Sequence, residues 1–259
     1  MLIDTHCHLD YFDAPQDIIK SSLDYNGQAN KTSHLITIST KISQFNKILD
    51  IAKSDDRIFC SLGNHPCNVH EEEPLDVAKA SQLCVKYKSK IVAIGETGLD
   101  YYHDITHKSM QQEEFLKHIE LASIFNLAIV VHVRDAWGDA LDIIRQSLNK
   151  NSNLRFVIHC FTGTKKEAVI LNELGCYISI SGIVTFKSSL ELKDAVKYVN
   201  PQRLLVETDS PFLAPHPHRG KQNMPEFVSY VLDEVCSLSG VSKNQIFENS
   251  KQAFLLPIN

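Results

Sequence analysis

The first residues of the chain, Leu2-Ile3-Asp4-Thr5-His6-Cys7-His8-Leu9-Asp10, carry a strand-like apolar start directly into two histidines two positions apart. In extended backbone alternate side chains share a face, so His6 and His8 reach toward one point while Cys7 between them points elsewhere. A short strand that ends in polar, metal-type side chains has a counterpart at the level of the fold. In a (β/α)8 barrel, chemistry gathers where each strand gives way to the loop after it. Whether Leu2–Thr5 is the first strand of such a barrel depends on how often the pattern returns.

It returns seven times. After Leu2–Thr5, short β-rich apolar runs occur at His34–Ser39, Ile58–Leu62, Ile91–Gly95, Ala128–Val131, Arg155–Ile158, Cys176–Ser181 and Arg203–Glu207. Between them helical spacing predicts helices near 14–25, 42–53, 75–88, 110–125, 137–148, 164–174, 187–198 and 226–238, with another near 243–254. In 110–125, Met110, Phe115, Ile119, Leu121 and Ala122 recur at helical steps among charged residues. Near-continuous apolar strands suit a parallel sheet covered by helices. Eight alternating units predict a closed (β/α)8 TIM barrel as a single domain spanning 1–259, with an open doubly wound sheet as the alternative.

Composition fits that frame. Of the 259 residues, 43% are hydrophobic and 22% charged, as in a chain that buries a core. No basic, apolar leader and no long apolar run is present, so no membrane partner is expected. Seven cysteines without a C-x-x-C pair read as reduced thiols, which points to the cytoplasm. Nothing suggests an oligomeric interface, and a monomer is the default expectation. A net charge of −5 argues against holding nucleic acid through a broad basic surface. It leaves room for a polyanionic substrate, because divalent cations reverse the potential of an acidic pocket.

The strand ends carry the functional signal. His6 and His8 follow the first strand, Gly63-Asn64-His65-Pro66 the third, and Glu96-Thr97-Gly98-Leu99-Asp100 the fourth. The fifth leads into His132-Val133-Arg134, the sixth into His159-Cys160-Phe161, and the eighth into Glu207-Thr208-Asp209. Any single histidine at a strand end reads first as a hydrogen-bonded structural residue. His34, His70, His103, His107 and His118 are assigned that role. The joint placement of His6, His8, Glu96, His132, His159 and Asp209 is different, because desolvating all of them together calls for a compensating cation. Cys160 faces away from His159, so ligation is expected from nitrogen and carboxylate oxygen. Six ligands exceed what one catalytic ion requires. Two ions sharing a carboxylate is the economical reading, with Glu96 as bridge.

The ordered motifs DTHCHLD at 4–10, GNHP at 63–66, GETGLDYY at 95–102, VHVRDA at 131–136, HCFTG at 159–163, and ETDSPFLAP then HRGKQNMP across 207–225 give the chain a family likeness. From end to end it resembles the TatD family of metal-dependent deoxyribonucleases, within the amidohydrolase-like barrels. The resemblance implies His6, His8, Glu96 and Asp209 around one ion and Glu96, His132 and His159 around the second. Many relatives carry another histidine where this chain has Cys67, which bears on substrate contacts of the third loop and not on the metal ligands.

Two cations about 4 Å apart clamp a phosphodiester and lower the pKa of a bound water. The expected function is therefore hydrolysis of phosphodiester bonds, as a DNase trimming single-stranded DNA from an end through a dinuclear, metal-activated water. Asp209 and Glu96 are the catalytic carboxylates, with Asp209 orienting and deprotonating the water. Glu207, sharing the face of Asp209, is expected to hold a ligand histidine in its tautomer, or else to pair with a Lys or Arg. His65, Arg134, Arg219 and Lys221 are candidate contacts for substrate phosphate. His216 and His218 lie in a segment stiffened by Pro211, Pro215, Pro217 and Pro225. Tyr101 and Tyr102 either stack on a base or pack on the barrel rim, and Trp137 packs. Three or more histidines suit Zn2+, Mn2+ or Co2+ better than Mg2+, although the family is usually described as magnesium-activated. The partner would be DNA, or RNA or tRNA. The alternative enzyme is an amide or ester hydrolase such as an aminoacyl-tRNA deacylase, for which a carboxylated lysine would be expected where Glu96 stands. The non-enzymatic alternative is a barrel that only binds metal or nucleic acid.

Overall fold

The structure is a computed structural model that describes residues 1–24 and 31–258. Its eight strands are β1 (Leu2–Cys7), β2 (Thr32–Thr37), β3 (Ile58–Leu62), β4 (Ile91–Asp100), β5 (Ala128–Arg134), β6 (Arg155–Ile158), β7 (Tyr177–Ile180) and β8 (Leu204–Val206). They form one parallel sheet in sequence order, β1 to β8. A parallel bridge between Cys7 and Ser210 and the bonds His8 N–H to Ser210 O (2.7 Å) and Asp209 N–H to His6 O (2.9 Å) join the last strand's end to the first. The fold is a TIM barrel, as the sequence predicts.

Helices α1 (Pro15–Asp24), α2 (Phe45–Lys53), α3 (Val77–Lys86), α4 (Lys108–Phe125), α5 (Trp137–Lys150), α6 (Lys165–Glu173), α7 (Leu190–Val196), α8 (Val228–Ser239) and α9 (Lys243–Phe254) alternate with the strands or follow them. The expected end of the first helix, at residue 25, lies outside the described residues. Local chemistry sets several boundaries. Asp76 caps α3 by accepting from Ala78 N and Lys79 N, each at 3.1 Å. At α6 the Thr164 hydroxyl accepts from Lys166 N, and Glu167 reaches back to Thr164 N at 2.9 Å, a reciprocal capping box. Asn126 (φ +52°) ends α4 and Gly240 (φ +72°) ends α8 in the left-handed conformation that lets a helix stop.

Strand alternation divides the core in two. Ile3, Ile36, Phe59, Val92, Val130, Val157, Tyr177 and Leu205, one from each strand, form the interior cluster, joined by Phe247 and Phe254 of α9. Their sequence neighbours Leu2, Leu35, Ile58, Ile91, Ile129, Phe156, Ile178 and Leu204 belong to the other cluster, with the surrounding helices. Strands buried on both faces explain the near-continuous apolar runs.

Three strands are longer than their apolar runs, β1 running past Thr5 to Cys7. β4 continues past Gly95 to Asp100, and β5 past Val131 to Arg134; they stay paired through Gly98 opposite His132 and Asp100 opposite Arg134. Gly95 is what allows it. It sits at φ +132°, where a side chain is strained, and a Cβ there would lie 2.5 Å from the Val130 carbonyl oxygen. Met110, placed by its spacing on the buried face of α4, is 41% exposed, because the inner face of that helix is partly polar: Gln111, Glu114 and His118 are buried beside Phe115 and Ile119.

Candidate metal centre

Glu96 lies in the middle of β4, 2% exposed, with its backbone N–H bonded to Ser39 O at 2.9 Å. Its two carboxylate oxygens face different groups. Oε2 is 3.4 Å from His6 Nε2 and 4.0 Å from His8 Nε2. Oε1 is 3.1 Å from His132 Nδ1, 3.1 Å from His159 Nε2 and 3.4 Å from His65 Nε2. Asp209 Oδ1 approaches the first group, 3.3 Å from His8 Nε2 and 3.6 Å from His6 Nε2. The six residues gathered from strand ends across the sequence therefore meet in one place, with Glu96 between two sets.

The geometry suits cations. Donors around a tetrahedral ion with bonds of about 2.0–2.1 Å sit about 3.4 Å apart. His6 Nε2 and His8 Nε2 are 3.3 Å apart, both turned to the same two carboxylates. Four imidazoles and two carboxylates with spacings of this size, and no thiolate among them, form a donor set fit for divalent zinc, manganese or cobalt. Cys7 turns away, its thiol 3.4 Å from Ile36 O, and Cys160 lies 3.2 Å from the Ser181 hydroxyl. Burial pushes the Cys160 thiol up to about 12, which keeps it protonated.

Support behind these side chains is specific. Glu207 Oε1 is 3.1 Å from His159 Nδ1 and accepts from Cys160 N at 2.6 Å, so its partner is a histidine and not the Lys or Arg that the sequence left open. Asp100 Oδ2 is 2.9 Å from His132 Nε2, which leaves Nδ1 of that ring facing Glu96. His6 is held differently: its Nδ1 is buried without a partner, and its ring stacks on His159 at 3.8 Å between centroids. His8 Nδ1 also lacks a partner, and its ring stacks on Tyr11 at 5.0 Å.

Electrostatics follow from this packing. Burial would push the Glu96 carboxyl up, but His159, His65 and His132 around it outweigh burial and hold it well below the usual carboxylate range. Asp209 is likewise held low against burial by its hydrogen bond to His8 and by the fields of His159 and His6. His159 loses to burial and gains more from Glu96 and Glu207, so its pKa is raised. His6 goes the other way, lowered by burial and by the neighbouring His159. Asp4, behind this layer, is pushed up to about 8 by burial despite accepting from Thr208.

The centre opens into a cavity of about 300 Å³ lined by His8, Tyr11, Thr40, His65, Asn68, Glu96, His132, His159, Asp209 and Phe212. A larger cavity, about 620 Å³, lies at the other end of the barrel, where Leu127, Leu154 and Arg203 precede β5, β6 and β8. We place the function in the smaller one, because it holds the convergent carboxylates and imidazoles and lies at the strand ends where barrel chemistry sits.

The remaining expected site residues are distributed more loosely. His65, read from sequence as a phosphate contact, lies instead in the cluster with Glu96 and His132. Arg134, Arg219 and Lys221 do not line the cavity: Arg134 covers the ring of the exposed Tyr102 at 4.6 Å, Arg219 covers Phe186 at 4.3 Å, and Lys221 is exposed. Tyr101 packs on the core and donates to Asp139 at 2.7 Å, and Trp137 meets Phe161 edge to face. His216 is exposed, its N–H bonded to Thr185, and His218 stacks on Phe227. His34 and His118 are hydrogen-bonded structural residues, as assigned; His118 Nε2 accepts from Asn64 N at 3.0 Å. Asp100 was not singled out from sequence, although its even spacing from Glu96 is the signal that marks it.

Comparison with known proteins gives the family. The family model described as TatD related DNase matches residues 3–256. The chain belongs to that family. It is 39% identical over 255 residues to the Escherichia coli uncharacterized metal-dependent hydrolase YcfH, covering 98% of this chain and 94% of the relative. It is 34% identical to the Bacillus subtilis uncharacterized metal-dependent hydrolase YabD, covering 98% and 99%. The crystal structure of YjjV, a TatD homolog from Escherichia coli, superposes with a TM-score of 0.89 at 25% identity over 99% of this chain and 98% of that one. The family membership and the ligand clusters make the protein a metal-dependent hydrolase. Among the described residues no helix is long and apolar enough to cross a membrane.

Proposed function

We propose that this hydrolase cleaves phosphodiester bonds in DNA, trimming a single strand from an end, and that it does so with two divalent cations at the shared carboxylate Glu96. The observation that carries the reading is the division of Glu96: Oε2 toward His6 and His8, Oε1 toward His132, His159 and His65. On this reading His6, His8 and Asp209 hold one ion, and His132 and His159 hold the other, with His65 beside it. A bound pair of such ions supplies Lewis acidity at the phosphorus and a water of lowered pKa.

The protein's own groups supply the rest. Asp209, ionised because His8 and its neighbours keep its pKa low, receives the proton of the attacking water on its carboxylate. Glu207 and Asp100 fix the rings of His159 and His132, so that neither ring has to reorient as charge develops. Tyr11 and Phe212, 43% and 48% exposed, form an aromatic side of the cavity against which the terminal base stacks. Arg134, past His132 on β5, and Arg219 and Lys221 on the last loop meet the strand's outer phosphates. A phosphate ester suits this centre better than the amide of the alternative reading, since the bridging position holds Glu96 and no lysine.

The test is purified protein with Mg2+, Mn2+ or Zn2+ on end-labelled single-stranded DNA, beside His132→Ala and Asp209→Ala. The expected result is stepwise shortening by the parent and a loss of at least about 100-fold in both variants, the scale on which a positioned acid–base group contributes. Variants as active as the parent overturn the site assignment. A parent that spares DNA but cleaves an aminoacyl ester overturns the substrate.

A further inference from the structure

Among the described residues, five groups of three metal-type side chains converge, and one of them is a peripheral set: His70, Asp104 and His107. His70 follows a 3-10 turn at Pro66–Asn68 after β3; Asp104 and His107 lie between β4 and α4. His107 Nδ1 is 2.9 Å from Asp104 Oδ1 and 2.8 Å from Oδ2. His70 Nδ1 is 3.4 Å from Oδ2. The two imidazoles lie parallel, 4.7 Å between centroids and 8° between planes, and both present Nδ1 to the one carboxylate. His70 has a further, looser neighbour in Glu71 at 3.8 Å.

We propose that His70, Asp104 and His107 form a third divalent-cation site, of the kind that takes zinc, outside the pair at Glu96. Three features carry it. The three donor atoms lie within 4.8 Å of one another, and His70 Nδ1 to Asp104 Oδ2, at 3.4 Å, has the separation of about 3.4 Å expected around a tetrahedral ion. Two imidazoles and a carboxylate are a donor set zinc accepts, and the roughly one-third exposure of both imidazoles leaves the fourth position to water. The backbone beneath is already fixed. Gln111 Nε2 donates to Asp104 O at 2.7 Å and to Asp100 O at 3.2 Å, Gln111 N donates to His107 O at 3.0 Å, and His107 N donates to Asp104 Oδ1 at 3.2 Å. A site held in this way need not be ordered by the ion.

The position gives the ion a job. His65 and Asn68, which line the cavity, stand a few residues before His70, and Asp100, which holds His132, stands four before Asp104. An ion joining His70 to Asp104 and His107 clasps the loop after β3 to the loop after β4, and so couples the two sides of the cavity. Without the ion the same residues would make only a hydrogen-bonded contact.

The experiment is anomalous diffraction at the zinc edge from crystals of the parent, of His70→Ala/His107→Ala and of Asp104→Asn, each equilibrated with zinc, together with zinc per chain in solution by mass spectrometry. Asp104→Asn keeps an oxygen for the His107 N–H and guards against a double variant that misfolds. The expected result is an anomalous peak among the three side chains in the parent, absent in the variants, with one zinc fewer per chain. His6→Ala/His8→Ala should keep this peak while altering the density at Glu96, so that failure of the clasp and failure of the dinuclear reading are seen separately. No peak in the parent, or the same zinc content in the variants, overturns the proposal.

Discussion

Asp100→Asn changes one atom and tests how the centre is held. Asp100 Oδ1 accepts from Tyr102 N at 3.1 Å and His103 N at 2.8 Å, and Oδ2 meets His132 Nε2 at 2.9 Å and His103 Nδ1 at 2.8 Å. Burial would raise this carboxyl, but the bonds to His132 and His103 prevail and hold it well below its usual range, so at neutral pH it is an acceptor on both oxygens. In the asparagine variant the amide oxygen must stay on the two backbone N–H groups, since the reverse orientation sets donor against donor. The NH2 then faces His132 Nε2. His132 can satisfy it only by presenting a lone pair at Nε2, which moves its proton to Nδ1, the atom 3.1 Å from Glu96 Oε1. A protonated Nδ1 has no lone pair for an ion.

Loss of such an outer partner typically costs 10- to 100-fold in metal affinity or activity, or about 1.4–2.7 kcal/mol. The assay is competition for Mn2+ or Zn2+ against a chromophoric chelator, with kcat on labelled single-stranded DNA measured in parallel. His103→Gln serves as the control, because the His103 side chain is 55% exposed, shares Asp100 Oδ2 with His132 and does not line the cavity. The expected order is parent, then His103→Gln close behind, then Asp100→Asn weaker by at least tenfold. Binding by Asp100→Asn within about threefold of the parent would refute the view that Asp100 sets the His132 tautomer.

Gly95→Ala should be among the most damaging small substitutions in the chain. Its Cβ would sit 2.5 Å from Val130 O at φ +132°, so the β4–β5 ladder must shift; a loss of about 3 kcal/mol or more is expected, read as a lower denaturant midpoint, and a midpoint equal to the parent's would show that the close approach is not a constraint. Asp4→Asn should stabilise the metal-stripped protein increasingly as pH rises from 4 to 7. The sign follows from the pKa: about 8 when folded against about 3.9 when unfolded means stability present below pH 4 and lost as pH climbs toward 8, at most about 1.4 kcal/mol per pH unit, and asparagine has no proton to lose. A difference in Tm between Asp4→Asn and its parent that does not change with pH would contradict it.

What the sequence revealed and what it hid divide along a physical line. All eight strands were legible because a barrel strand is apolar on both faces, as in Ala128–Val131 and Arg155–Ile158. The six candidate ligands that converge at Glu96 were legible because each stands beyond such a run. Where the strand continues through glycine, the same rule misleads: Gly95 and Gly98 look like breaks, yet at φ +132° and +127° they carry β4 on to Asp100. The residue that holds His132 was hidden by that apparent end. Its register opposite Arg134 appears only when β4 and β5 are paired.

The polar face of α4 was hidden for a related reason. Hydrophobic periodicity finds helix faces that bury against apolar neighbours, and it placed Met110 inward. The structure instead buries Gln111, Glu114 and His118, none of which a periodicity search would choose. Each binds a loop next to the centre: Gln111 bonds Asp100 and Asp104, Glu114 accepts from Asn64 and Leu75, and His118 accepts from Asn64 N. A buried polar atom costs about 1–3 kcal/mol when left unpaired, so such a face survives only if the loops it serves stay in place. The same residues that weaken the helical signal therefore tie the loop bearing His65 and the end of β4 at Asp100 to the helix layer, and legibility fails where the fold gives up apolar packing to hold the site still.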